Sequence, residues 1–293
     1  FREEYMKKTL FCDNWEFAET PLGTEYGAVT GWKRVDVPHD WLIYDTKALY
    51  RDSTGWYRKR YVHKNDGQRT ALRFDGVYMD SKVYVNGALA FEWKYGYTPF
   101  EVDITDHLND GENEIAVRVD HHSPNSRWYS GAGIFRKVYL KRFEQTHILP
   151  DGVYISADEK GNVTVTTETA RPESDTAEGL TIKAAVFRYR ENDPFAQRED
   201  KCCAFDKAAL PQEIVKDGFK YTQNTQSLKL NDPKLWSTDD PQLYKCAVSL
   251  YKNGELIDKV TSEFGFKKAE FTADRGFLLN GRHVKLHGVC EHH

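Results

Sequence analysis

The sequence has no run of eighteen apolar residues, and its first ten residues lack the apolar core that a secretory signal needs. We therefore expect no membrane partner. Cysteine is also scarce: the five residues form an odd, scattered set without the spacing of a zinc site or of a disulfide-rich secreted module. This usage favours reduced thiols and a cytoplasmic location, although a chain that begins with Phe1 leaves open whether a signal peptide was removed.

Basic residues are not in excess. The chain has 41 Lys and Arg residues against 45 Asp and Glu residues, a net charge of -4, with both signs interspersed. A protein that binds nucleic acid normally carries a basic patch or stripe. The charge pattern therefore argues against nucleic acid as a partner and leaves small neutral ligands open.

Several motifs that identify active sites are missing. The sequence contains no GxSxG nucleophile elbow, no P-loop and no GxGxxG. The run Gly131-Ala132-Gly133 is only a fragment of the last pattern, and we expect its glycines to permit a tight loop beside aromatic neighbours. We predict no cofactor.

Long helical periods are absent as well, and the alternation of apolar and polar residues indicates strands. The alternating sets are Ile115, Val117 and Val119; Val163, Val165 and Thr167; Ile182, Ala184 and Val186; and Tyr244, Cys246, Val248 and Leu250. Asn-Gly, which suits the type I′ turn of a hairpin, occurs at 86–87, 253–254 and 280–281. The sequence thus predicts an all-β, antiparallel fold.

The length predicts more than one domain, because 293 residues exceed what a single core usually holds. Pro150 and Asp151-Gly152 punctuate the chain after the first run of strands. We predict domains at 1–145 and 146–270 and a third, only begun, at 271–293. The polar segments 170–179 and 191–217 are predicted as surface loops, the second as an insertion or, alternatively, a partner-binding loop.

An ordered series of short motifs fills the first domain. It comprises VPHDW at 37–41, TGWYRK at 54–59, FDGV at 74–77, VYVNG at 83–87, GYTPF at 96–100 and RWYSGAGIFR at 127–136. This series resembles the N-terminal sugar-binding domain of glycoside hydrolase family 2. LWS at 235–237 and PQLY at 241–244 resemble the family's immunoglobulin-like domain, and FLLNG at 277–281 with KLHGV at 285–289 is similar to the start of its catalytic barrel.

The resemblance implies a fold and an activity. The expected fold is a jelly-roll, galactose-binding-like β-sandwich, then an immunoglobulin-like β-sandwich, then the beginning of a (β/α)8 barrel. The expected parent is a retaining glycosidase acting on a β-linked saccharide, most often a β-galactosidase, with β-glucuronidase and β-mannosidase as alternatives. Its partners would include its own missing catalytic barrel, and a homo-oligomer is left open.

We expect no catalytic residue within this chain. Retaining hydrolysis requires two carboxyl groups about 5 Å apart, and in the family these are glutamates on later barrel strands, the acid directly after an Asn. The one Asn-Glu pair is Asn113-Glu114, which we interpret as the start of a strand. The fragment itself is therefore expected to be inactive.

The resemblance also implies sugar-binding positions in the first domain. Arg127 lies near where relatives place a polar sugar ligand, although Ser126 stands two positions before the Trp, where some relatives have Asp. Trp128, with Tyr129, offers a flat aromatic face on which the C–H surface of a sugar can rest. The alternative for Trp128 is packing of the first domain against the barrel. Asp45 is carried over as a further sugar contact.

His292 follows a GVCE segment much as a His follows GVNR in relatives, at the carboxyl end of the first barrel strand, where barrel active sites form. We predict that it binds the sugar; a purification tag or a solvated chain end is the alternative. Adjacent histidines on a strand point to opposite faces, so neither His121-His122 nor His292-His293 predicts a metal site.

Three hypotheses follow from these motifs. The first is a glycosidase fragment, the second a free-standing carbohydrate-binding module, and the third a structural or interaction fragment. The segment 277–293 favours the first, because an independent module has no use for the start of a barrel.

Overall fold

In a computed structural model, the chain is described over residues 7–44, 46–124, 130–188, 204–209, 213–216 and 218–290. It divides into two compact units, one within Met6–Phe143 and the other within Glu144–His292. In the described residues nearly all regular structure is β-strand, and no helix is long and apolar enough to cross a membrane. The all-β prediction is confirmed.

The first unit contains ten strands among its described residues, with 3-10 turns at Tyr26–Ala28 and Thr105–His107. The strands are β1 (Lys7–Leu10), β2 (Trp15–Thr20), β3 (Lys33–Val35), β4 (Ser53–His63), β5 (Arg69–Phe74), β6 (Ser81–Val85), β7 (Ala88–Trp93), β8 (Phe100–Asp103), β9 (Gly111–His121) and β10 (Val138–Phe143). They form a six-stranded sheet, β3-β2-β4-β9-β6-β7, and a four-stranded sheet, β1-β10-β5-β8. All of the strand pairs in these two sheets are antiparallel.

The two sheets enclose one hydrophobic core, as the jelly-roll prediction requires. Ile115, Val117 and Val119 of β9 are fully buried in it, which confirms the alternation read from the sequence. Trp15 and Tyr57 are also fully buried there. Side chains of this size bury about 150–250 Å² each and dominate the energetics of a core.

Strand register places several loops at one end of this sandwich. Ser53, the first residue of β4, pairs with His121, the last residue of β9. Ser81, at the start of β6, pairs with Trp93, at the end of β7. The connections that precede β4 and follow β5, β7 and β9 therefore meet at the same end, which we call the Ser53 end.

The second unit is a sandwich of two four-stranded antiparallel sheets in the described residues, β11-β12-β16-β15 and β14-β13-β17-β18. Its strands are β11 (His147–Ala157), β12 (Asn162–Pro172), β13 (Leu180–Arg188), β14 (Ala204–Ala209), β15 (Glu213–Lys216), β16 (Phe219–Lys229), β17 (Tyr244–Lys252) and β18 (Glu255–Phe264). The predicted inward-facing residues of β12, β13 and β17 are all buried. This arrangement agrees with the immunoglobulin-like sandwich expected from the motifs.

Two of the predicted loops were wrong in part. The segment 170–179 begins inside β12, which runs to Pro172 and buries Arg171. Within 191–217, β14 pairs with β13 and β15 pairs with β16. Both strands are short and interspersed with charge, so their sequence resembles a loop, and only pairing with a neighbouring strand shows their structure. Residues 191–203 of that predicted insertion lie outside the described residues.

The predicted hairpins are confirmed. Asn86, Asn253 and Asn280 each have φ near +51°, and each following glycine also has positive φ, the conformation of a type I′ turn. The last hairpin joins β20 (Gly276–Leu279) to β21 (Arg282–His283), and β19 (Ala269–Thr272) completes a three-stranded sheet. The Asn280 side-chain amide donates to the Trp236 carbonyl oxygen at 2.9 Å, which ties this hairpin to the connection between β16 and β17 of the same unit.

Candidate functional site

The chain segment 130–134 is held at the Ser53 end by backbone hydrogen bonds on both sides. On one side the His39 amide donates to the Ile134 carbonyl (2.8 Å) and the Trp41 amide donates to the Ala132 carbonyl (3.1 Å). On the other side Gly133 and Tyr78 exchange two amide-to-carbonyl bonds of 2.9 Å. The segment that follows the RWY motif is therefore hydrogen-bonded to a neighbouring chain segment on each side.

Gly131 and Gly133 allow this close packing. A Cβ atom at Gly131 would lie 1.8 Å from Oδ2 of Asp40, and one at Gly133 would lie 2.4 Å from the carbonyl oxygen of His39. Gly133 also has φ of +136°, a conformation that residues with a side chain rarely adopt. The prediction that these glycines permit a tight loop is confirmed.

His39 and Tyr57 form a hydrogen-bonded pair next to Gly133. Nδ1 of His39 lies 2.8 Å from the Tyr57 hydroxyl, and the Phe17 ring packs against both rings. Burial lowers the pKa of His39 and outweighs the opposing attraction of Asp40, while burial raises the pKa of Tyr57 well above its usual value. Both groups are therefore neutral at physiological pH.

Asp40 and Trp41 anchor the next part of the chain. Oδ1 of Asp40 accepts the amides of Leu42 (2.9 Å) and Ile43 (3.2 Å), which caps the turn that follows. The buried Trp41 donates from Nε1 to the Ser53 hydroxyl at 3.0 Å. A Cβ atom at Gly55 would lie 2.6 Å from the Trp41 ring, so a residue with a side chain would not fit at this position.

His121 bonds to both neighbouring loops at the end of β9. Its Nδ1 lies 2.9 Å from the carbonyl oxygen of Arg51, and its Nε2 lies 3.2 Å from the Ser130 hydroxyl. The ring is buried, so its two nitrogens are committed to these partners. Among the described residues, no group of three or more His, Cys, Asp or Glu side chains is placed to hold a metal ion.

The four residues predicted to bind sugar, Asp45, Arg127, Trp128 and His292, all lie outside the described residues. Their described neighbours differ in exposure: Tyr44, before Asp45, is 84% exposed, whereas Ser130, two positions after Trp128, is buried. The Asn113-Glu114 pair lies within β9, where Asn113 bonds to Asn86 and Glu114 accepts from Tyr26. Its interpretation as strand residues is confirmed.

The sequence did not single out His39, Asp40 and Tyr57, although all three lie within the motifs that it matched. Positions 39 and 57 are eighteen residues apart, and no periodicity links them. Their partnership with Gly131 and Gly133 depends on the sheet register that brings β4 beside β9.

Comparison with protein families identifies these two units. The model described as "Glycosyl hydrolases family 2, sugar binding domain" matches residues 30–143, and the model described as "Glycosyl hydrolases family 2" matches residues 146–267. The chain belongs to glycosyl hydrolases family 2. The family's sugar-binding domain thus includes the Ser53 end and both strand segments that hold 130–134.

Curated relatives and solved structures within family 2 cover nearly the whole chain. A β-galactosidase of Bacteroides ovatus is 36% identical over an alignment of 279 residues, which covers 89% of this chain and 31% of the relative. A β-glucuronidase of Bacteroides fragilis is 30% identical over an alignment of 290 residues, which covers 89% of this chain and 38% of the relative. The chain therefore spans about a third of the length of these curated relatives.

Two solved structures show the same fold. A family 2 member from Bacteroides cellulosilyticus superposes with a TM-score of 0.78 at 29% identity. The match covers 98% of this chain and 40% of the Bacteroides cellulosilyticus chain. A β-glucuronidase from Bacteroides uniformis superposes with a TM-score of 0.80 at 25% identity and covers 98% of this chain and 35% of its own.

Proposed function

We propose that this chain is the N-terminal, non-catalytic part of a retaining glycosidase that cleaves terminal β-linked sugars. The favoured activity of this glycosidase is that of a β-galactosidase. The observation that supports this proposal is the match of two consecutive family 2 domains, in order, over 30–143 and 146–267. The named relatives include β-galactosidases and β-glucuronidases. The proposed domains are 1–145, 146–270 and the start of a barrel at 271–293.

The chemistry is assigned to residues beyond this chain. A retaining enzyme uses one carboxyl group to protonate the leaving oxygen and a second, about 5 Å away, to attack the sugar carbon. In this proposal both groups are glutamates of the catalytic barrel. The chain contributes to the reaction by positioning loops that contact the substrate.

The described residues suggest how the first domain would position such a loop. Gly131 and Gly133 fit closely against Asp40 and His39, so residues 130–134 have little freedom to move. Arg127 and Trp128 directly precede that anchored segment in the sequence. We assign Arg127 to donate to a sugar hydroxyl and Trp128 to stack on the C–H face of the ring, with Asp45 and His292 as further contacts.

The test compares two polypeptides on the same substrate. The 293-residue chain should show no turnover of a chromogenic β-galactoside, whereas the polypeptide extended by the rest of its reading frame should hydrolyse it. Parallel assays on a β-glucuronide and a β-mannoside identify the sugar. Turnover by the short chain would overturn the assignment of the chemistry, and no activity of the extended chain on any β-glycoside would overturn the proposed function.

The role of Arg127 is tested in the extended polypeptide. Replacing it with Ala should lower kcat/KM by about ten- to a hundredfold, the range for losing one hydrogen bond from a charged donor. Arg34→Ala is the control, because Arg34 is an exposed residue of β3. Equal effects of both substitutions would contradict a direct sugar contact.

A further inference from the structure

The loop between β7 and β8 holds two tyrosines around a glycine that has no room for a side chain. A Cβ atom at Gly96 would lie 2.3 Å from the ring of Tyr78, which is itself buried. The Tyr78 ring therefore packs directly on the loop backbone and fixes it. Tyr95, on one side of Gly96, is nevertheless 60% exposed, and Tyr97, on the other side, is half-buried.

The rings in this region form a continuous array. The centroid of the Tyr97 ring lies 5.1 Å from Tyr78, 5.9 Å from Tyr95 and 6.2 Å from Phe135, each in an edge-to-face arrangement. Aromatic pairs prefer this geometry, and each pair adds stability beyond the area that it buries. The array is therefore ordered without being closed over by the core.

Arg136 connects the array at its other end. Its guanidinium carbon lies 5.0 Å from the centroid of the Phe135 ring, and its Nη1 donates to the carbonyl oxygens of Tyr97 (3.2 Å) and Asp75 (3.5 Å). Arg136 is an exposed residue, and a guanidinium group has five N–H donors in a rigid, planar arrangement. Arg136 thus places guanidinium N–H groups beside the rings of the array.

This aromatic surface is continuous with the candidate site. Tyr78, which supports Gly96 and contacts Tyr97, is the residue that exchanges two backbone hydrogen bonds with Gly133. Both features lie at the Ser53 end of the first domain. Tyr78 thus joins the segment 130–134, through its backbone, to the loop that carries Tyr95 and Tyr97, through its ring.

We propose that Tyr95, Tyr97, Phe135 and Arg136 form an additional saccharide-binding surface that accepts a further sugar unit of a β-linked oligosaccharide. The proposal deepens the proposed function and rests on it. Aromatic faces match the C–H faces of a pyranose ring, and guanidinium N–H and tyrosine hydroxyl groups match its hydroxyls. Tyr95 leaves 60% of its surface exposed beside these groups, so part of its ring is accessible to a ligand.

The experiment is an NMR titration of the 293-residue chain with galactose and with a trisaccharide of β-linked galactose. The trisaccharide should shift the resonances of Tyr95, Tyr97 and Arg136 and should bind more tightly than galactose. Tyr95→Ala should weaken trisaccharide binding by about two- to tenfold, the range for loss of one aromatic stacking contact. Tyr95→Phe, which keeps the ring, should retain binding within about twofold.

The control is Tyr154→Ala, because Tyr154 is 70% exposed on β11 of the second unit. The amide spectrum of each variant establishes that it is folded. The proposal is overturned if the trisaccharide does not shift the resonances of Tyr95 and Tyr97. It is also overturned if Tyr95→Ala binds the trisaccharide as tightly as the unchanged chain does. Either result would favour a surface that further polypeptide covers. The turnover assay of the extended polypeptide uses a chromogenic substrate with a single sugar, which does not reach this surface. The result of that assay, which tests the proposed function, is therefore independent of the result of the binding experiment.

Discussion

At the scale of single residues, Gly133 is a position in the loop at the Ser53 end where a side chain would destabilise the first unit. We predict that Gly133→Ala destabilises the first unit by about 2–4 kcal/mol, because the new methyl group would meet the His39 carbonyl and the Tyr57 hydroxyl in a backbone conformation unsuited to alanine. Urea denaturation measures the loss. Gly27→Ala is the control: its Cβ would have no neighbour within 4 Å, so its effect should stay within about 1 kcal/mol.

His39 gives the first unit a pH dependence of known sign. Burial lowers the pKa of its imidazole from 6.5 in the folded state, so the unfolded chain binds the proton more readily. Its contribution to stability is complete above pH 6.5 and is lost as the pH falls through the folded pKa. The free energy of unfolding of His39→Gln should therefore fall less between pH 7.5 and 5.5 than that of the unchanged chain; a parallel fall would contradict this role. His283→Gln, at an exposed position, is the control.

The sequence predicted part of this site and missed another part for a physical reason. Gly131 and Gly133 stand out locally, because two glycines around one residue signal a close backbone approach. The pairing of His39 with Tyr57 does not stand out, because it depends on strand register rather than on any neighbouring residue. The sugar-binding roles of Asp45, Arg127, Trp128 and His292 remain predictions.

At the scale of strands, a buried ion pair crosses the four-stranded sheet of the first unit. Nζ of Lys141 on β10 lies 2.8 and 2.7 Å from the two carboxylate oxygens of Glu101 on β8, and the side chains are only 6% and 10% exposed. Lys141→Met should cost about 3–5 kcal/mol, because Glu101 would keep a buried charge with Arg73 3.9 Å away as a more distant partner. Adding Glu101→Leu should recover much of this loss.

The matched control for this double-mutant cycle is the pair Lys82–Glu92 between β6 and β7. Nζ of Lys82 lies 3.0 Å from Oε1 of Glu92, but the two side chains are 33% and 45% exposed. The same cycle should therefore give a coupling energy of about 0.2–1 kcal/mol. Chemical denaturation of all the variants provides the coupling energies. Equal coupling in the two pairs would show that burial does not decide the strength of the first.

The strands themselves were predictable where each strand carried its own signal. Residues 115–119 alternate apolar and polar side chains with one face in the core, and Asn86-Gly87 fixes a hairpin by its backbone preference alone. Strands β14 and β15 carry no such signal. They form by pairing with β13 and β16, a non-local cause that composition does not reveal.

At the scale of the whole chain, each unit has its own hydrophobic core. Trp15 and Ile115 belong to the first core, and Ile182 and Val248 belong to the second. We predict that residues 1–143 and 144–293, expressed separately, each give a cooperative unfolding transition and a dispersed amide spectrum. A half that stays unfolded alone would show that it needs the other half to fold.

The glycines in the loops of the first unit differ in how closely they are packed. Gly76, Gly96, Gly131 and Gly133, all at the Ser53 end, would each place a Cβ within 3 Å of a neighbouring atom, whereas Gly67, Gly87 and Gly111, at the opposite end, have nothing within 4 Å. Peptide tags, fluorophores or grafted epitopes are therefore best introduced around 65–67 or 109–111. There they leave the geometry of the closely packed loops at the Ser53 end intact, and they offer a route to immobilise or label the protein for glycan measurements.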